Sequence, residues 1–272
     1  MRKVLLIILC CCCAVASAHQ KRVRFRPSSS LVLGLGHANL LDSYLSPLEY
    51  KGMQFNMMHE YRRTLDWNNN LGTFRSTLQA NGSAASAWGG LPDMWSGDLN
   101  YDAIWQYSIL GSDETPLCIK LGGGAGTTFG GTYVTHGGNN PAQAHVQLRL
   151  LGSFTAHYNF TKLCLQNRRL KHLKLRYHAD MPLLGGMFSP EFGQSYYELS
   201  QGLSGHNIVL THPVNAFSLR QQLGVDFGFS DKSPYKFRVT YLNDIRQATP
   251  HHLKQHLFSN SLMIGFVKYL RH

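Results

Sequence analysis

Cysteine is scarce in this sequence beyond its first residues. Four of the six cysteines are Cys10–Cys13, which leaves only Cys118 and Cys164 in the rest of the chain. Two cysteines are too few for a disulfide scaffold, and whether they pair or stay free thiols is open. Long apolar runs are scarce as well. No stretch after residue 18 approaches the roughly 20 apolar residues of a spanning helix, so no helical membrane anchor is expected.

Acidic residues are few compared with basic ones. The chain has 26 Lys and Arg against 15 Asp and Glu, which gives a formal net charge of +11. A nucleic-acid partner would require these basic residues to form one patch. They are instead spread singly along the chain, so no nucleic-acid binding is predicted.

The first 18 residues, MRKVLLIILCCCCAVASA, have the three parts of a secretory signal peptide. Arg2 and Lys3 form a basic start, an apolar run follows, and Ala16–Ala18 is a cleavage site of small residues. Lipoprotein processing is the alternative, but Leu9 precedes Cys10 where a small residue is needed. We therefore predict a cleaved signal peptide over residues 1–18 and a single domain over residues 19–272.

One stretch of the domain, AHVQLRLLGSFTAHYNFT (residues 144–161), alternates between two kinds of side chain, with Leu151 as an apolar exception at an odd position. The even positions are apolar or small, whereas the odd ones include His145, Gln147, Arg149 and Thr155. A period of two is typical of a β-strand with two different faces. The strand is predicted to turn its even side chains to lipid and its odd ones to a lumen.

The same alternation recurs along the chain. It is found in residues 53–61, 72–81, 99–109, 173–181, 219–229, 235–245 and 262–270, and more weakly in 30–36 and 116–126. A soluble sandwich is disfavoured because the polar faces carry too many charges for a core, and because aromatic residues gather near the strand ends as in membrane girdles. The fold is predicted to be all-β, an antiparallel up-and-down transmembrane β-barrel.

The segments between the predicted strands alternate in length. Short turns are predicted at 65–70, 111–115, 163–169 and 230–234, and longer loops at 39–50, 81–97, 136–142, 182–217 and 247–256. Short periplasmic turns and long external loops are typical of outer-membrane barrels. This alternation predicts ten spanning strands. The segment HNIVLTHP (residues 206–213) is interpreted as one arm of a hairpin in the fourth external loop, with a twelve-stranded barrel as the alternative.

Charged residues on the polar faces would point into the lumen. Two interpretations are open: an interior that attracts anions, or a plug of paired side chains, since small barrels have interiors that side chains fill. The predicted lumen charges are Arg62, Arg75, Arg149, Arg176, Asp180, Arg220, Asp226 and Arg238, together with Glu60, Asp102, Lys120, Lys174, Lys236, Asp244 and Arg246.

Candidates for chemistry are few. Ser218 with His206 or His212 could serve a barrel-type lipid hydrolase, which needs a hydroxyl within reach of a base. Sequence spacing does not establish that geometry. The histidines of segment 251–256 have no acidic or cysteine ligand beside them, so no metal is predicted, and no cofactor either. The glycines at 122–126 lack the GK[ST] ending of a phosphate loop.

The predicted fourth external loop is rich in aromatic residues. Phe188, Phe192, Tyr196 and Tyr197 lie in MFSPEFGQSYYELSQG. Aromatic side chains offer large contact areas, and binding functions concentrate on loops. The loop is predicted either to bind a ligand or to fold over the mouth of the barrel.

Three segments, LLDSYLSPLEYKG (40–52), GGNNPA (137–142) and MPLLGGMFSPEFGQSYYELS (181–200), with the SLR that begins at Ser218, resemble a family of uncharacterised exported proteins of the Bacteroidota. That family is a domain of unknown function. The resemblance implies lineage and an outer-membrane location, but no activity. The C-terminal residues Leu270–His272 replace the terminal Phe that is common in outer-membrane barrels and is read by the insertion machinery.

The sequence therefore predicts a small, non-enzymatic protein of the bacterial outer membrane. Its role would be envelope structure, binding through external loops, or a narrow pore. Its partners would be outer-membrane lipids and the barrel insertion machinery. A lipid hydrolase similar to outer-membrane phospholipases or lipid A deacylases is the first alternative, and a soluble periplasmic β-protein is the second.

Overall fold

The computed structural model describes residues 27–65, 72–113, 115–135, 140–160, 173–202, 205–228 and 233–270. The predicted signal peptide, Cys164, and most of the predicted turns at 65–70, 163–169 and 230–234 lie outside the described residues. The elements are β1 Ser28–Asp42, β2 Ser46–Leu65, β3 Gly72–Ser86, β4 Met94–Leu110, β5 Leu117–Val134, β6 Ala142–Asn159, β7 Leu173–Phe188, α1 Tyr196–Gln201, β8 Ile208–Thr211, β9 Ser218–Phe227, β10 Tyr235–Ala248 and β11 Gln255–Tyr269.

Ten of these strands form a closed antiparallel ring. The hydrogen-bonded order runs β6-β5-β4-β3-β2-β1-β11-β10-β9-β7, and a further pairing of β6 with β7 completes the circle. Closure leaves no exposed edge in the ring. The ten-stranded barrel predicted from the sequence is confirmed.

The short strand β8 stands outside the ring. Ile208–Thr211 pairs with Gly185–Phe188 at the outer end of β7, whereas the inner half of β7 pairs with β9. The segment HNIVLTHP is therefore part of an external hairpin, and the twelve-stranded alternative is not adopted.

The two faces of β6 lie as the alternation predicts. Leu148 is 67% exposed on the outside, whereas its neighbour Arg149 is 9% exposed inside the ring. The inward side chains Ser153, Thr155 and His157 are buried as well. The even positions thus face outward and the odd positions face the lumen.

Apolar side chains cover the outside of the barrel. A girdle of aromatic side chains lies at each end of this apolar band. Trp95 and Tyr133 are paired neighbours towards the outer rim. Near the inner strand ends, Phe237 packs against Phe227 and Phe266, with ring centroids 4.9 and 5.5 Å apart. Such girdles flank the apolar band of transmembrane barrels.

The apolar belt ends well before the strands do. The outward-facing residues of β1 are apolar up to Leu35 and then become polar at His37 and Asn39. Asp42, the last residue of β1, therefore stands beyond the belt on the outer side. Among the described residues, no helix has the length and hydrophobicity that a helical membrane span requires.

The outer loops are shorter than the sequence predicts. The loop expected at 81–97 shrinks to the residues between Ser86 and Met94, and the one at 39–50 shrinks to those between Asp42 and Ser46. Beyond the belt the inward side chains form an apolar cluster that includes Ala38, Leu40 and Leu257, whereas outward side chains such as His37 and Asn39 are polar. The contrast between the two faces is therefore reversed there, and a pattern that assigns apolar side chains to lipid ends before the backbone pairing does.

Two glycines of β5 let neighbouring strands approach closely. A Cβ atom built on Gly122 would lie 2.0 Å from the carbonyl oxygen of Trp105, and one on Gly124 would lie 2.0 Å from that of Ala103. No side chain fits at such distances. The glycine run that is not a phosphate loop therefore permits close packing of β5 on β4.

Candidate functional site

Charged and polar side chains fill the lumen of the barrel. Burial of an isolated charge is very costly, so buried charges require partners. Of the predicted lumen charges, the structure places Arg62, Lys174, Lys236 and Arg246 partly buried, and it buries Glu60, Arg75, Asp102, Lys120, Arg149, Arg176, Asp180, Arg220, Asp226, Arg238 and Asp244.

An ion-pair network centred on Glu60 crosses the lumen towards its inner end. Arg176 Nη2 donates to Glu60 Oε1 at 2.7 Å, and Arg238 Nη1 donates to the same oxygen at 3.4 Å. Arg238 also binds Asp226 with two nitrogens, at 2.6 and 2.9 Å. Bidentate pairs of this kind fix side-chain geometry as well as adding energy.

A second network lies next to it, towards the outer side. Arg75 donates to Asp180 and, at 3.1 Å, to Ser153 Oγ. Asp102 accepts from Arg220 and, at 2.9 Å, from Arg149 Nη2. These contacts join strands on different sides of the ring. Ion pairs from opposite walls therefore cross the lumen, which favours the plug over an open interior, as barrels of this size permit.

A cavity of about 120 Å³ opens at the outer mouth of the lumen. Residues towards the outer ends of eight ring strands line it. Its apolar wall includes Met94, Phe188 and Leu257, and its polar wall includes Asp42, Asp98, Gln143, His145, Arg246 and Gln255.

Four polar groups form a row along the cavity wall. His145 Nδ1 lies 2.7 Å from Asp98 Oδ1, and His145 Nε2 lies 3.2 Å from Thr132 Oγ1. Arg246 Nη1 donates to the other oxygen of Asp98 at 3.0 Å. A hydroxyl, an imidazole and a carboxylate in this order can pass a proton between them.

Sequence reasoning missed Asp98 and His145 as functional candidates. Asp98 was expected next to the end of a long loop, and His145 was only one of several polar positions on β6. The alternation of β4 could have found Asp98, because it has the same parity as the inward-facing Asn100 and Asp102. Its partner His145 depends on strand register, which the sequence does not reveal.

Asp42 faces the cavity without a basic partner. With its amide nitrogen turned to Asp42, Gln143 donates to Oδ1 at 2.8 Å, and its oxygen accepts from Gln255 Nε2 at 2.6 Å. Within the described ranges, no Lys or Arg forms an ion pair with this carboxyl. Burial raises the pKa of Asp42 from 3.8 to about 6, because the charged form loses its hydration; the nearby His145 opposes this rise.

The external segments meet one another above the cavity. The carbonyl oxygen of Gln194 accepts from Tyr44 Oη at 2.7 Å and from Asn140 Nδ2 at 3.3 Å. His251 Nε2 lies 2.8 Å from the carbonyl oxygen of His206. The long external segment is thus tied to three others rather than extended away from the barrel.

The predicted catalytic candidates are not brought together. Ser218 begins β9 and lines the cavity. His206 is exposed and lies 3.8 Å from Glu191, while His212 Nδ1 accepts from the backbone N–H of Val214. In the part of the chain that the structure describes, no hydrogen bond links Ser218 to either histidine.

The aromatic residues predicted to bind a ligand do not lie together at one place. Phe188 lines the cavity, whereas Phe192 is 84% and Tyr197 is 74% exposed on the outer surface. Tyr196 is the first residue of α1, and its side chain lies outside the described part. Of the three aromatic side chains that the structure describes, Phe188 is thus the one at the mouth.

Several solved structures resemble this barrel. The outer membrane protease OmpT from Escherichia coli matches with a TM-score of 0.55 and 6% identity, over 91% of this chain and 98% of that chain. Neisserial surface protein A matches with a TM-score of 0.36 and 10% identity, over 89% and 97%. The translocator domain of the autotransporter NalP from Neisseria meningitidis gives 0.41 and 10%, over 99% and 96%. At such identities the likeness to OmpT concerns the fold alone.

The sequence comparisons agree with the resemblance noted above. No curated protein matches the chain. The predicted Bacteroidota origin stays a prediction, whereas membership in a family of unknown function is confirmed. Over residues 4–272 the sequence matches the family described as "Protein of unknown function (DUF3316)", and the chain, a small barrel of the outer-membrane type, belongs to that family.

Proposed function

We propose that this protein resides in the bacterial outer membrane, is closed to transport, and binds a small organic amine at its outer mouth. The outer-membrane location is supported by the closed ring and by the apolar belt between two aromatic girdles. The predicted signal peptide at 1–18 would export the chain. Outer-membrane lipids and the barrel insertion machinery are its proposed partners in reaching and holding this position.

The closed state is supported by the ion pairs of the lumen. Removal of one partner from a buried pair costs about 3–5 kcal/mol, because it leaves an uncompensated charge. Disruption of the network around Glu60 and Arg238 is therefore energetically unfavourable. A solute would have to break several such pairs to pass.

The ligand class follows from Asp42, the single observation that carries the proposal. Its carboxyl faces a cavity, lacks a Lys or Arg partner among the described residues, and shares that cavity with an apolar wall that includes Met94 and Leu257. An ammonium group would bind the carboxylate, and a short hydrocarbon chain would pack against that wall. Gln143 and Gln255 would fix the orientation through hydrogen bonds.

Calorimetric titration of the detergent-solubilised barrel with butylamine, putrescine and phenethylamine tests this function. The wild-type protein should bind at least one of them at pH 7, and Asp42→Asn should lose that binding. Glu49→Gln, an exposed change on the outer part of β2, serves as the matched control and should bind as the wild type does. Equal binding by Asp42→Asn, or no binding by the wild type, would refute the amine site.

A hydrolase is the second candidate function, because Thr132, His145 and Asp98 form a row of hydroxyl, imidazole and carboxylate beside the cavity. His145 would act as the general base. The lipid hydrolase predicted with Ser218 belongs to the same class. Release of labelled fatty acid or peptide by the wild type, lost in His145→Ala but kept in Ser218→Ala, would favour the row at Asp98. No release from either substrate would remove this candidate.

A further inference from the structure

A compact cluster of ligand-type side chains lies at the inner end of the lumen, opposite the mouth. Asp113 lies in the turn between β4 and β5, Cys118 lies near the start of β5, and His157 lies near the end of β6. Cys118 and His157 are direct neighbours in the strand register. One ligand atom from each of the three residues lies within 4.8 Å of the others.

His157 lacks the partners that a buried imidazole requires. Its side chain is 0% exposed, and neither ring nitrogen forms a hydrogen bond with any described residue. Nε2 lies 3.1 Å from Asp113 Oδ1 without hydrogen-bond geometry. An unsatisfied buried polar atom costs about 1–3 kcal/mol, so such a group needs an explanation. Ligation of a metal ion by the lone pair of one ring nitrogen would remove this cost for that nitrogen.

We propose that Asp113, Cys118 and His157 bind a zinc ion at the inner end of the barrel. Thiolate, imidazole and carboxylate are the three protein ligand types of zinc, which prefers four tetrahedral ligands. A water molecule would take the fourth position. The ion would enter from the inner side, where the Asp113 side chain is 17% exposed, and the thiol would release its proton on binding.

Lys120 competes with the ion for the carboxylate. Its Nζ lies 2.8 Å from Asp113 Oδ2 and 2.7 Å from Thr73 Oγ1. Oδ2 is thus engaged, so Asp113 offers Oδ1, the atom that already faces His157. The ammonium also repels a divalent cation at this distance. Its removal should therefore tighten metal binding, an effect opposite to that of removing a ligand.

Cobalt titration of the full-length mature barrel in detergent, stripped of metal, tests the site. Thiolate ligation of Co²⁺ gives a charge-transfer absorption band that carboxylate and imidazole ligands alone do not give. We expect one equivalent of Co²⁺ to bind with this band, and Zn²⁺ to displace it. Cys118→Ser should abolish the band, His157→Ala should weaken binding at least tenfold, and Lys120→Met should strengthen it.

Cys164→Ser is the matched control and should keep the band. The boiling-dependent shift in gel mobility verifies that each variant has folded. If Cys118→Ser does not fold, Asp113→Asn takes its place, with a tenfold loss of affinity expected. Absence of the charge-transfer band in the wild type, its persistence in folded Cys118→Ser, or its loss in Cys164→Ser would overturn the proposal.

Discussion

Glu60 and Arg176 meet across the full width of the barrel, with Arg176 Nη2 2.7 Å from Glu60 Oε1. Glu60 is on β2 and Arg176 is on β7, and five steps between paired strands separate them in either direction around the ring. The pair therefore connects two opposite walls. No hydrogen bond between adjacent strands can do so.

Glu60→Ala should lower the free energy of unfolding by about 3–5 kcal/mol, because Arg176 and Arg238 lose their shared carboxylate partner while still buried. Urea unfolding of the barrel in detergent micelles, followed by gel mobility, measures the change. Glu49→Ala on the exposed outer part of the same strand should change it by less than about 0.5 kcal/mol. Equal losses of unfolding free energy in both variants would contradict the stabilising role of the network around Glu60.

The ion pairs of the lumen should control the conductance of the barrel, and the external segment 189–202 should not. Replacing Glu60, Arg176, Asp226 and Arg238 together by Ala removes the network around Glu60 and leaves the net charge of the lumen unchanged, so ions should then cross planar bilayers in discrete steps. The wild-type barrel and a variant that lacks residues 189–202 should both stay closed. Opening by the deletion alone would mean that the external segment, and not the network, closes the barrel.

Asp42 should make stability decrease as pH rises through the weakly acidic range. Its pKa is raised from 3.8 to about 6, so between these values the folded state holds a proton that the unfolded chain has released. Asp42→Asn should therefore stabilise the barrel at pH 7, by an amount on the order of 1–3 kcal/mol. Thermal unfolding in detergent at pH 7 and at pH 3.5 measures this gain, which should shrink at the lower pH. A gain of the same size at both values would contradict it.

Gly124→Val should prevent assembly of the ring. A Cβ at this position would meet the backbone oxygen of Ala103 at 2.0 Å, and backbone cannot move aside without breaking the pairing of β4 with β5. The variant should not show the boiling-dependent gel shift of a closed barrel. Gly82→Ala is the control, since its Cβ would come no closer than 4.0 Å to Ser96 O, and it should assemble normally.

The faces of the strands were predictable from the sequence because a period of two is a local property. Leu148 outside and Arg149 inside follow from the parity of β6 alone. The number of ring strands followed from the alternation of short and long segments, with residues 206–213 interpreted as one arm of an external hairpin. The outer strand ends were not predictable, since beyond Leu35 the outward side chains become polar while the inward ones, Ala38 and Leu40, become apolar, which reverses the pattern.

The sequence did not predict which inward side chains contact each other in the lumen. Asp98 meets His145 and Arg246 because the register of the whole ring brings β4, β6 and β10 to one height at this end. A shift of two residues in any pairing would keep every face correct and change every partner. The same holds for Cys118 and His157, which are neighbours only through the register of β5 with β6.

Ring closure also has a consequence for the order of events during biogenesis. The closing strands β1 and β11 pair from Ser28 with Tyr269 to Asp42 with Gln255, near the two ends of the domain. The strand β1 thus cannot complete its pairing until β11 is present. Contacts so distant in sequence form slowly. Any chain cut short before β11 would keep the edge of β1 unpaired and prone to aggregation. Closure of the ring therefore requires the whole domain through β11, and the pairing of β1 with β11 distinguishes a complete barrel from a shortened one.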